Sequence, residues 1–149
     1  MTSTPPLARA LGFAGLLPQA AVVVMLAAGP AGWHLAALAV GYAYATLILS
    51  FLGGMWWGLA ARSSDQAPAW IWLAAVAPSL VALATALALA VGVSPPGPML
   101  VVLGVSLLGS LLVDRRLAAD GLTPSWWMRL RWPLSLGLGL FTIVIAAIS

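Results

Sequence analysis

The chain contains no cysteine, which excludes disulfides, thiolate nucleophiles and cysteine-based metal sites. It has no lysine and no glutamate either; its charged residues are six arginines and three aspartates. The single histidine, His34, cannot by itself supply the ligand set of a zinc site. Charged residues make up only 6% of the chain, where a soluble domain carries about 25%. That scarcity leaves too little polar surface to cover a water-facing globule. Acid–base and metal-assisted chemistry depend on carboxylates, and only Asp65, Asp114 and Asp120 are present, all in or beside polar connections. The sequence therefore predicts no catalytic set and no metal site.

What the chain does have is apolar length. Hydrophobic residues account for 63% of its 149 positions, and the mean hydropathy is +1.10. Five runs are long enough to cross a hydrocarbon core of about 30 Å, which takes roughly 20 helical residues. They predict helices at about 7–28, 33–61, 68–91, 99–117 and 124–148 within one transmembrane domain, 1–149. The first run, at about 19 residues, exceeds the apolar stretch of a secretory signal and reads as a retained membrane helix. Pro18 inside it predicts a kink, and Gln19 needs a partner within the bundle. Ser64 or Asp65 is expected to cap the third helix, and Thr123-Pro124 to open the fifth. Ala82, Ala86 and Ala90 form a small-residue ladder on the third.

Orientation follows from the arginines. With five crossings, Arg9, Arg62, Arg115, Arg116, Arg129 and Arg131 all fall on one side or at its interface, and none on the other. The positive-inside rule then predicts a cytoplasmic N-terminus and a periplasmic C-terminus in an all-α, five-helix bundle. The same reasoning turns a net charge of +3 into a statement about membrane topology rather than nucleic acid.

The segment 42–60, YAYATLILSFLGGMWWGLA, is the expected centre of the bundle. At 100° per residue, Tyr42, Thr46, Ser50, Gly53 and Trp57 fall within roughly 80° of one another, one polar and small face on an apolar helix. Gly54 and Gly58 add a GxxxG step for helix packing. Seven of the eight tryptophans gather toward the arginine side, leaving only Trp33 opposite. Two readings follow: an interfacial aromatic belt, or an aromatic-walled site for a flat apolar ligand. In the second, Trp57, Trp126 and Trp127 would stack on a quinone, tetrapyrrole, carotenoid or lipid, with Arg62, Arg115, Arg129 or Arg131 holding an acidic tail. Asp114, at a helix end, is expected to pair with an arginine or to anchor a polar ligand.

The motif SFLGG-x-x-WG at 50–58, with LARALGFAGLLPQ at 7–19, PSWW at 124–127 and RLRWP at 129–133, resembles a family of small bacterial inner-membrane proteins of unknown function. The mitochondrial transmembrane protein 69 is similar to its members. Ser50, Gly53, Gly54, Trp57 and Gly58 match the pattern, whereas Trp56 stands where relatives often have histidine. Helix number and tryptophan content are also similar to those of the tryptophan-rich sensory or translocator proteins, whose motifs are absent here. The resemblance implies a polytopic helical protein and supplies no activity. The expectation is a non-enzymatic accessory, assembly or scaffolding protein of the inner membrane. Its partners would be membrane lipids, a membrane protein or a second copy of itself.

Overall fold

Proline chemistry shapes the first crossing. The ring of Pro18 collides with the carbonyl four residues earlier and offers it no N–H, and that residue, Ala14, is the last of helix α1 (Pro6–Ala14). The chain turns through Gly15 and Leu16, held by i→i+3 bonds, and resumes as α2 (Leu17–Ala28). Tyr44 donates its hydroxyl to the Gly15 carbonyl at 2.7 Å, so the break is held from a neighbouring helix. The expected kink is a complete interruption.

The computed structural model describes residues 3–63 and 67–149. After a short 3-10 turn (Ala31–Trp33) come α3 (His34–Arg62), α4 (Ala69–Ala90), α5 (Pro96–Ala119) and α6 (Trp127–Ile148). Counting α1 and α2 together, five helical segments are long and apolar enough to cross a membrane. The chain is therefore an all-helical, multi-pass membrane protein. Leu47, Phe51, Leu73 and Leu112 are left outside, as befits a fold whose solvent is lipid. The expected cap at Ser64 or Asp65 lies outside the described residues. Helix α6 begins at Trp127 rather than Pro124, after a turn closed by Trp127 N–H to the Pro124 carbonyl at 3.0 Å. Thr123 caps nothing; its buried hydroxyl oxygen has no partner among the described residues.

Glycines set where the helices meet. Helices α5 and α6 share the most extensive interface, followed by α3 and α4. At the first crossing, a Cβ on Gly104 would lie 3.0 Å from the Gly139 carbonyl oxygen, and one on Gly139 would lie 3.1 Å from that of Gly104. Such reciprocal contact is open only to residues without a side chain. At the second crossing, a methyl on Gly53 would overlap the Ala75 carbonyl oxygen.

Two expected packing faces are corrected. The buried line of α3 is Gly41, Ala45, Leu49, Leu52, Gly53, Trp56 and Ala60, rotated by about one residue (100°) from the Tyr42–Trp57 face, of which it keeps Gly53. Within this chain Gly54 and Gly58 meet nothing: a Cβ on either finds no atom within 4 Å among the described residues. On α4 the buried line is Ile71, Ala75, Pro78, Ala82 and Thr85, so Ala86 and Ala90 of the expected ladder are exposed.

Candidate functional site

The α5–α6 interface grows more polar from its glycine crossing toward the arginine-bearing end. Six residues along α5 and four back along α6, the hydroxyls of Ser110 and Ser135 lie 3.2 Å apart. One turn further, the Asp114 carboxylate meets Arg131, whose Nε donates to Oδ2 at 2.6 Å. Nη2 of Arg131 donates to the Ser110 hydroxyl at 3.2 Å. The other carboxylate oxygen, Oδ1, accepts from the indole N–H of Trp56 at 3.0 Å and of Trp127 at 3.2 Å. Asp114 has no solvent exposure and Arg131 is buried. A carboxylate out of water needs every strong acceptor site engaged, and three side chains from α3 and α6 engage this one.

This geometry changes the expected role of Arg131. Rather than reaching out to hold a ligand's acidic group, it folds inward to neutralise Asp114, because a pair sealed by hydrogen bonds avoids the penalty of an isolated buried charge. The inter-helix ion pair considered for Asp114 is present. Trp56, Ser110 and Ser135 were not anticipated as members of the node. The one signal for Trp56 was its departure from the resembled motif: indole and imidazole both carry a ring N–H.

The remaining expected ligand-site residues do not converge. Tyr42 and Trp57, fifteen residues apart on one helix, are separated by about 22 Å along its axis. The Tyr42 hydroxyl is shared with that of Thr85 at 2.8 Å, and Tyr42 lines a cleft of about 360 Å³ with Leu38, Leu89 and Pro96. Trp57 is 49% exposed and stands edge-on to Trp72, with centroids 4.7 Å apart. Thr46 donates to its own helix at Ala43, and Ser50 is half-buried. Trp126 leans on Trp127 at 6.0 Å, while Arg129 is exposed beside Arg9.

A narrower feature does reach the node. A groove of about 180 Å³ between α3, α4 and α5 is lined by Leu49, Trp56, Pro78, Ser106, Gly109 and Ser110, among others. A second polar cluster joins α2, α3 and α6 deeper in the bundle. There the buried Gln19 amide donates to the Thr142 hydroxyl at 2.9 Å and to the Gly41 carbonyl at 3.3 Å. The partner expected for Gln19 is thus Thr142. No group of three or more histidine, cysteine, aspartate or glutamate side chains gathers as a metal site among the described residues.

Fold and node together define a multi-pass helical membrane protein whose last two helices are clasped by a buried, hydrogen-bonded ion pair. The chain belongs to the family described as Protein of unknown function (DUF3429), whose model matches residues 4–147. No curated protein and no solved structure matches it.

Proposed function

We propose that the chain is a non-enzymatic accessory or assembly protein of the bacterial inner membrane, with a cytoplasmic N-terminus, that engages a helix of another membrane protein through α3. The carrying observation is the open Gly54-x-x-x-Gly58 step. It is a surface shaped for close helix approach, and among the described residues nothing packs on it. The Asp114 node fits the same reading, because its donors and acceptors are directed at one another and hold the bundle together. The arginine distribution supports the orientation. The absence of natural cysteine supplies a clean test. A Gly54→Cys variant in native membranes should crosslink to a discrete partner, and Gly54→Leu should abolish co-purification without lowering thermal stability. Failure of cysteines at Gly54, Gly58 and Phe51 to crosslink to any protein would sink this reading; a crosslink only to a second copy would make the assembly a homo-oligomer.

One observation favours a second reading, the binding of a flat hydrophobic ligand. The groove between α3, α4 and α5 is lined by Trp56 and Ser110, the two side chains that also bond to Asp114 and Arg131. Its volume lies below the about 300–1,000 Å³ of ordinary ligand pockets. A quinone ring or a length of acyl chain would fit better than a tetrapyrrole or carotenoid. Mass spectrometry of organic extracts should then show a stoichiometric quinone that a groove-filling Gly109→Leu variant lacks. Bulk phospholipid alone in both samples would count against it.

A further inference from the structure

Helices α1 and α6 approach closely because Gly12 has no side chain: a Cβ there would lie 2.9 Å from Leu134 Cδ1 and 3.3 Å from Leu130 Cδ1. Both helices begin at the arginine-bearing end and run in the same direction. One turn outward from this contact they part, and a cleft of about 630 Å³ opens between them. It is lined by Ser3, Thr4, Arg9, Phe13, Arg129 and Leu130. Each helix contributes one guanidinium to its rim and one apolar side chain to its floor. No side-chain cap covers the first turn of α1, and the N-terminal poles of both helices add positive potential on the same side.

We propose that this cleft binds the phosphate of an acidic glycerophospholipid, with Arg9 and Arg129 on its oxygens and an acyl chain laid over Phe13 and Leu130. Guanidinium forks match phosphate oxygens in a way that a point charge does not. Arg129 has a further contact, and its five N–H donors can serve both. The Ser3 and Thr4 hydroxyls can donate to the remaining oxygens. The floor of the cleft is itself apolar, with Phe13 43% exposed, which makes the occupant a lipid rather than a soluble phosphate ester. The cleft is also far larger than a bare phosphate ion needs, leaving room for the glycerol backbone. This site is separate from the α3 face and stands without the assembly reading.

The test is native mass spectrometry of the intact protein in mixed micelles of phosphatidylglycerol and phosphatidylcholine. Wild-type protein should retain one phosphatidylglycerol under activation that strips phosphatidylcholine. The R9Q/R129Q variant should lose that adduct by roughly tenfold, about 1.4 kcal/mol. R62Q, which removes a charge at the same end but outside the cleft, should retain it. Should the double variant fail to fold, the exposed R9Q single variant carries the same prediction at smaller amplitude. Equal retention of the two lipids, or an unchanged adduct in the Arg9 variants, would overturn the proposal. Displacement of the lipid by excess inorganic phosphate would overturn the lipid assignment in favour of a soluble anion.

Discussion

Asp114 concentrates most of the electrostatic risk in this fold. Its carboxylate is out of contact with solvent and depends on Arg131, Trp56 and Trp127 for compensation. An Asp114→Asn variant keeps the size and an acceptor but strands the Arg131 charge in the interior. Breaking one side of such a pair costs about 3–5 kcal/mol, and detergent-titration unfolding should show a loss of that order. Replacing both partners, as in D114L/R131M, should cost less than Asp114→Asn alone, because no unpaired charge then remains. Trp56→Phe removes a single donor to a charged acceptor, a loss of about 1.5–3 kcal/mol. If D114N unfolds at the wild-type midpoint, the node contributes nothing to folding and its conventional role as a clasp is wrong.

The helices themselves were readable from apolar length, and so was the break at Pro18, because proline acts on its own backbone within four residues. The interacting face of α3 was less so. Polar and small residues mark a buried face only when their hydroxyls seek partners on other helices, and Thr46 satisfies itself on Ala43. The buried line instead follows Gly41, Ala45 and Leu49, sharing only Gly53 with the expected face, and there backbone approach and leucine filling decide the contact. Ser110, Ser135 and Trp56 share the same difficulty: their joining depends on the α5–α6 register, a long-range fact that spacing along one helix does not contain. Adjacent glycines make the distinction measurable. Gly53→Ala drives a methyl into the Ala75 carbonyl, so it should destabilise by about 1–3 kcal/mol, as overpacking does. Gly54→Ala points into open space, and relief of glycine's helix penalty should leave it neutral or more stable by about 0.5–1 kcal/mol. Equal effects at the two positions would mean that α3 is rotated from the orientation described.

Across the whole molecule, polarity is sorted by depth. The Gln19–Thr142 cluster joins three helices in the interior, the Asp114 node clasps the last two nearer one end, and the exposed arginines fringe that end. One end therefore carries Arg9, Arg62, Arg115, Arg116 and Arg129, with Arg116 also stacked 5.3 Å over Trp70. The other end, at the α4–α5 turn, offers Gly92, Val93 and Ser94 with no charge. A guanidinium resists transfer across a membrane, so the charged end should remain where the chain was made. Because the chain has no cysteine of its own, one introduced thiol reports its side without background. Val93→Cys, 78% exposed at the uncharged end, should react with an impermeant maleimide added to intact spheroplasts. Ala119→Cys, at the end of α5 beside the arginines, should react only after the membrane is opened. The reverse pattern would invert the bundle, placing the Arg9–Arg129 cleft in the outer leaflet and exposing the α3 face at Gly54 and Gly58 to a different set of partners.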